Sequence, residues 1–419
     1  MADSSGARAK MVTDAQLADS LDTLASFRSR FAFYDPRAIY FDGNSLGRMP
    51  SGTPDLLARV AGHEWGGSLI DSWRHWAELP YQVGDLLANE VLGAMPGEVL
   101  VSDSTTVNLF KLAVAALQLG GSRRRVLIEA DNFPTDHYVL SGLVDRYGIE
   151  LSVIPSDITE GVSIEELEGA FDDEVAFACI SMVSYRSGAK LDLAAANAVA
   201  SKAGSRIIWD LSHAGGAVEV DLADSGCELA VGCTYKYLNA GPGAPAYLYA
   251  RSDLIEQIES PIRGWFSQEN QFEMGSDYVP RSGIGRFSGG TPNIIGTTLV
   301  AQGASIVGEA GIAALASKGR ALGDFFVAGA DEFLAGYGFR VASPRECSRR
   351  GSHVSLAHPF AREVTRVLAD ECGVVADFRP PDTIRFGFSA LYTSFSEIAI
   401  AIGRIVELAE SGRIGGALR

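Results

Sequence analysis

The chain has 419 residues, 47% of them hydrophobic, with 46 glycines; that length predicts one large domain with a smaller one, not a single small core. Lysine and arginine number 35 against 52 aspartates and glutamates, for a net charge of −17. Such a field repels phosphate backbones and anionic lipid, which argues against nucleic-acid and membrane-surface roles.

Cys179, Cys227, Cys233, Cys347 and Cys372 show no C-x-x-C spacing and read as free thiols in a reducing compartment. The polar start of the chain lacks the apolar stretch of a signal peptide. No apolar run approaches the roughly 20 residues of a membrane span. A cytoplasmic location is expected.

In chain order, the first ten or so residues read as frayed, followed by an amphipathic helix around Asp14 to Phe33. A sharp turn follows at Tyr40-Phe41-Asp42-Gly43-Asn44-Ser45-Leu46-Gly47. Helical patterning covers Thr53 to Gly62 and Leu79 to Leu92. Short apolar runs then alternate with helical stretches: Val99–Ser102, Arg125–Glu129, Leu151–Ile154, Val175–Val183, Ile207–Asp210, Leu229–Thr234 and Ala246–Ala250. This alternation predicts an α/β fold, a mostly parallel sheet sandwiched by helices. The expected division is an N-terminal segment (1–50) packing on the small domain, a large domain (51–305) and a smaller α+β domain (306–419).

Ligands of such sheets gather at the carboxyl ends of strands. Ser104-Thr105-Thr106, Asn132 to Asp136, Ser184-Tyr185-Arg186, Asp210 and Lys236 all follow a predicted strand, and together they suggest one site. Six lysines are candidates for bonding an aldehyde, and Lys236, flanked by Tyr235 and Tyr237, lies downstream of Trp209-Asp210-Leu211-Ser212-His213. An amine there and a carboxylate able to hold a ring nitrogen protonated point to pyridoxal phosphate chemistry. Taken alone, Asp210 reads equally as a helix cap, and Ser104-Thr105-Thr106 as a capping box or a phosphate site at a helix start.

Phe133 offers a ring for stacking or for the core, Asp136 a second carboxylate or a turn, and His213 a partner for Asp210 or a structural hydrogen bond. Arg385, in an apolar strand-like run, needs either a substrate carboxylate or an internal ion pair. The string Gly241 to Ala246 enters a strand instead of a helix, so it is no dinucleotide motif. His63, His75, His353 and His358 lack metal-binding spacing, and no metal is expected.

The ordered set of segments resembles kynureninase, a family of fold-type-I pyridoxal phosphate enzymes in the class V aminotransferase superfamily. It comprises Tyr40 to Gly47, Asp103 to Lys111, Asn132 to Asp136, Trp209 to His213, Tyr235 to Asn239, Gly264-Trp265-Phe266, Gly290-Thr291-Pro292, Arg350 to Val354 and Arg385 to Phe388. The resemblance implies that Lys236 bonds the cofactor, Phe133 stacks on its ring, and Asp210 and Asp136 tune it beside His213. By the same likeness Thr105, Thr106 and Tyr235 hold the phosphate, with Trp265 and Thr291 reaching across from a second subunit of a homodimer. Arg385 would bind the carboxylate of an amino-acid substrate and Ser45 would line its pocket.

The implied reaction is hydrolysis of kynurenine, or a ring-substituted relative, to an anthranilate and alanine, with Lys236 moving a proton and Tyr235 donating one to the β-carbon. Two segments depart from the family pattern: Gly264-Trp265-Phe266-Ser267-Gln268 and Met182-Val183-Ser184-Tyr185-Arg186-Ser187-Gly188 each replace a polar group expected near the pocket. The alternatives are a cysteine desulfurase or selenocysteine lyase using Cys347, and a catalytically silent dimer that binds the cofactor or an amino acid.

Overall fold

Short apolar runs separated by helices build one open sheet in the computed structural model, which describes residues 4–414. After a two-residue strand β1 (Ile39–Tyr40), the sheet strands follow in order. They are β2 (Val99–Ser102), β3 (Arg125–Glu129), β4 (Glu150–Ile154), β5 (Val175–Ser181), β6 (Ile207–Asp210), β7 (Leu229–Gly232) and β8 (Ala246–Ala250). All seven fall on the predicted runs, with β5 and β7 ending earlier than expected. Their spatial order is β2-β8-β7-β6-β5-β3-β4. Strands β7, β6, β5, β3 and β4 pair in parallel, while β8 runs antiparallel to both of its neighbours, β7 and β2. Six strands therefore share one direction and β8 is reversed.

Every residue of β5, β6, β7 and β8 is buried, as a sheet covered on both faces demands. Helices Thr105–Leu119 and Pro134–Tyr147 cover one face, packing Leu109, Leu112 and Leu140 against Val126, Ile128 and Phe177. Helices Leu193–Lys202 and Ile294–Ala310 cover the other, where Ala196, Val300 and Ala304 join Leu127, Ile180 and Trp209.

A separate core lies C-terminal to this sheet. Strands β9 (Arg340–Val341), β10 (His353–Ala357), β12 (Asp377–Arg379) and β13 (Thr383–Gly387) form an antiparallel sheet in the order β12-β13-β10-β9, while β11 (Val374–Val375) pairs in parallel with β1. Helices Ile312–Phe333, Ala361–Asp370 and Phe395–Glu410 supply its apolar cover. Gly311 separates Ile294–Ala310 from Ile312–Phe333 with a bend of 80°. No single helix among the described residues is long and apolar enough to cross a membrane.

The N-terminal expectation needs correction. A helix spans Ser4–Ser20, across the stretch expected to be frayed, and the predicted helix to Phe33 is interrupted. Asp22 turns its carboxylate onto the Leu24 amide at 2.9 Å, diverting the backbone from helix into a turn before the short 3₁₀ segment Ala25–Arg30. Residues 1–3 lie outside the described residues. Ala15 of this helix joins the C-terminal core, and Asp19 accepts from the amides of Phe395 and Ser396 at 2.7 and 3.0 Å, capping the last helix.

Candidate active site

Because β2, β3, β5, β6 and β7 point the same way, the polar residues that follow them lie toward one edge of the sheet. Asp210 ends β6, buried, with Oδ1 accepting from the Ser212 amide at 2.7 Å. Lys236 lies in the turn after β7, where its carbonyl accepts from the Asn239 amide at 2.9 Å and Asn239 takes a left-handed φ of 55°. The loop after β1 packs on this turn. Gly47 donates to the Tyr235 carbonyl at 2.8 Å, and a β-carbon at Gly47 would stand 2.2 Å from the Lys236 carbonyl oxygen. Only glycine permits that approach.

The surroundings of the lysines separate the Schiff-base candidates. Lys111 is fully buried but donates to Asp103 and, at 2.6 Å, to the Phe287 carbonyl. Lys318 pairs with Asp22 at 2.7 Å, and Lys10 pairs with Asp14 on the surface. Lys190 is half-buried and Lys202 exposed. Lys236 is enclosed, and its Nζ lies 3.0 Å from His213 Nε2. Burial first, and then the adjacent Lys236 charge, hold the His213 imidazole well below its ordinary range. A neutral His213 accepts from the lysine, and its other nitrogen, Nδ1, is buried without a partner among the described residues. That orphaned nitrogen marks a place for a group the protein itself does not supply.

Carboxylates crowd the same edge. Asp136, in the first turn of Pro134–Tyr147, is buried, and burial followed by the nearby charges of Asp210 and Glu129 raises its pKa well above the usual range. Glu129, at the end of β3, accepts from the Ser181 amide at 2.7 Å, and burial is the main cause lifting its pKa to about 7. Sequence reading missed Glu129, which lies inside a predicted apolar strand and carries no motif. Phe133 is 37% exposed, edge-on to Tyr185 at 5.3 Å between centroids, with Lys236 Nζ 5.8 Å from its ring centre. Asn132 fixes this segment by accepting from the Phe133 amide at 2.7 Å and from Ser181 Oγ at 2.9 Å.

Ser104 serves as the cap of Thr105–Leu119, its Oγ accepting from the Val107 amide at 3.4 Å. Thr106 is exposed and Thr105 half-buried, at a helix start whose first amides lack intrahelical acceptors. Tyr235 is half-buried, and burial pushes its phenol well up.

Arg385 makes the internal ion pair that sequence left open. Asp377 accepts from its Nε at 2.9 Å and from its Nη2 at 2.7 Å, Ser45 Oγ accepts from Nη2 at 2.8 Å, and the Tyr185 carbonyl accepts from Nη1. Ser45 and Arg385 are thus brought together, with an aspartate that sequence reading did not single out. Cross-strand register places it: Asp377 stands opposite Arg385.

Trp265 and Thr291 do not join Lys236 within one chain. They line a separate cavity of about 950 Å³ together with Ile70, Trp73 and Phe272. The departures from the family pattern have local partners. Ser267 accepts from the Gly264 amide at 3.0 Å and from Tyr278 Oη at 3.0 Å, and Gln268 accepts from the Val279 amide at 2.7 Å. Met182 is buried in the core, and Ser184 Oγ caps the turn through the amides of Arg186 and Ser187.

An enclosed lysine against a neutral histidine, buried carboxylates at the adjoining strand ends and an open aromatic face suit pyridoxal phosphate, and the fold and site define a fold-type-I enzyme dependent on that cofactor. Solved structures agree in fold: a cysteine desulfurase from Thermococcus onnurineus NA1 (TM-score 0.77, 19% identity, 89% of this chain and 95% of that one) and one from Escherichia coli (TM-score 0.79, 16% identity, 93% and 98%). A family model described as the kynureninase C-terminal domain matches residues 315–405. The kynureninase of Pseudomonas fluorescens is 39% identical over 93% of both chains, and that of Deinococcus radiodurans is 40% identical over 92% of this chain and 93% of its own. The chain belongs to the kynureninase family.

Proposed function

We propose that this chain is a pyridoxal phosphate-dependent hydrolase that cleaves the Cβ–Cγ bond of L-kynurenine, or of a ring-substituted kynurenine, to give an anthranilate and L-alanine. The observation that carries the reading is the Lys236–His213 contact of 3.0 Å beside the buried carboxylates, in a chain of this family. Lys236 would hold pyridoxal phosphate, and the cofactor when bound would supply an electron sink for charge developing on the amino-acid carbons.

The remaining work falls to the protein's own groups. Asp210 would hold the ring nitrogen protonated with Asp136 beside it, and Phe133 would cover the ring. Thr105, Thr106 and Tyr235 receive the phosphate. Lys236 Nζ, acting as the free amine and steadied by neutral His213, takes the Cα proton. Tyr235, kept protonated by burial, donates to the β-carbon as it departs from the hydrated carbonyl carbon. Arg385 and Ser45 receive the α-carboxylate. One water is consumed, its oxygen ending on the anthranilate carboxylate.

Trp265 and Thr291 reach a second copy of the chain in our reading, so the active unit is a homodimer. In support, Trp265 and Phe272 are 46% and 76% exposed around the cavity that holds Thr291, a patch of the kind that marks an interface. We place the enzyme in the cytoplasm, in keeping with its free cysteines, and the domain boundary at Gly311, a few residues beyond the expected 305/306. A desulfurase role for Cys347 finds no support: Arg345, Arg349 and Arg350 beside it are paired with Asp331, Glu160 and Asp324.

Anthranilate fluorescence measured with kynurenine, 3-hydroxykynurenine and methylated kynurenines tests the assignment by comparing kcat/KM. Turnover of at least one is expected; negligible rates on all, from protein that retains the cofactor, overturn it.

A further inference from the structure

The carboxylate end of the site holds more than one arginine. Asp377 Oδ2, which accepts from Arg385 Nη2 at 2.7 Å and from Ser45 Oγ at 3.1 Å, also forms an ion pair with Arg379 Nη2 at 2.6 Å. A single carboxylate oxygen therefore ties two guanidinium groups and a hydroxyl. Strand β12 explains the geometry, because residues 377 and 379 are two apart and their side chains share one face, opposite Arg385 and Thr383 of β13.

The two arginines differ in what they have left to give. Arg385 is 1% exposed, with both Nε and Nη2 on Asp377 and with Nη1 on a carbonyl. Arg379 has a side chain 29% exposed, and its Nε is buried without a partner among the described residues. Arg385 and Asp377 alone cancel in charge, so a substrate carboxylate meeting only that pair would find no surplus cation. Asp42 faces the same cluster, with Oδ1 buried and unpartnered among the described residues; when it is ionised, Arg385 and the two aspartates sum to −1, which Arg379 offsets.

We propose that Asp377 is the positioning residue of the carboxylate site and Arg379 its second cation: Asp377 locks one edge of Arg385 and draws Arg379 alongside, and the α-carboxylate binds between the two guanidinium groups. The proposal rests on the kynurenine-hydrolase reading. It assigns recognition of the amino-acid carboxylate to a shared unit, with Arg379 Nε–H as a donor that becomes satisfied only when substrate is bound.

Cofactor-loaded wild type, Arg379→Gln, Asp377→Asn and Asp377→Glu provide the test, through KM and kcat for L-kynurenine and spectral titration with L-alanine and with L-alaninamide, which lacks the carboxylate. Arg379→Gln is expected to raise KM and the L-alanine Kd by roughly tenfold or more. Its kcat should stay within about threefold, and its alaninamide affinity and visible spectrum should not change. Asp377→Asn should weaken L-alanine at least as much, and Asp377→Glu should recover part of the loss. Wild-type KM and L-alanine affinity in a spectrally intact Arg379→Gln overturn the proposal, as does an equal loss for alanine and alaninamide. Should Asp377→Asn fail to fold, the half-exposed Arg379 variant still decides. If wild type binds L-alanine but turns over no kynurenine, the parent reading fails while the alanine titrations still judge the carboxylate site.

Discussion

Burial, and then the Lys236 charge 3.0 Å away, keep His213 neutral, because a second cation is costly in that enclosed space. The neutral imidazole is what leaves the lysine a hydrogen-bond acceptor. Lys236→Ala is therefore expected to lower kcat by about 10³-fold or more, and to lose the borohydride-trapped label that wild type carries. A label persisting elsewhere in the chain would displace Lys236 from its role. Glu129 yields a stability prediction. Burial lifts its carboxyl from the ordinary 4.5 to about 7, so between those values the folded state keeps a proton that the unfolded chain has released. Folding stability then falls as pH rises through that window, by at most about 3 kcal/mol at 1.36 kcal/mol per unit, with the cost complete above the folded value. Glu129→Gln stays neutral throughout. By calorimetry without cofactor, its Tm should exceed wild type by a few degrees at about pH 8 and match it near pH 4.5; equal differences at both values would remove Glu129 as the titrating group.

At the scale of elements, the loop after β1 acts as a brace for the Lys236 turn. Gly47 meets the Tyr235 and Lys236 carbonyls directly, and Tyr392 and Asn44 pack beside the neighbouring glycines Gly43 and Gly387. Gly47→Ala must displace one loop from the other, since its β-carbon has 2.2 Å where contact needs well over 3 Å. A destabilisation of about 1–3 kcal/mol in urea is expected, together with weaker cofactor retention measured by visible absorbance after dialysis. An unchanged midpoint and full retention would show that the Lys236 turn does not depend on this brace. The seven sheet strands were legible from sequence because each is a short apolar run bounded by breakers. The first helix was not, because the carboxylate of Asp22 stops it where hydrophobic periodicity continues.

For the whole molecule, the separation of Trp265 and Thr291 from Lys236 within one chain makes the dimer testable. Lys236→Ala and Trp265→Ala homodimers should each be nearly inactive. Unfolded and refolded together, random pairing gives one intact site in each mixed dimer, and activity should recover to roughly a quarter of wild type. No recovery, in mixtures shown to exchange subunits, would place both residues in the same site or outside it.

Sequence by itself determined the strand order along the chain, the strand-end placement of Asp210 and Lys236, and the family likeness, since these depend on local pattern and on the order of motifs. It also presented the choice at Arg385 between substrate and ion pair. Only the tertiary structure brought Asp377 opposite Arg385, enclosed Glu129 beside Asp136 and Asp210, and set His213 against Lys236. Those are contacts between distant segments, and charge in a buried site is decided by what burial places next to it, which no run of neighbouring residues records.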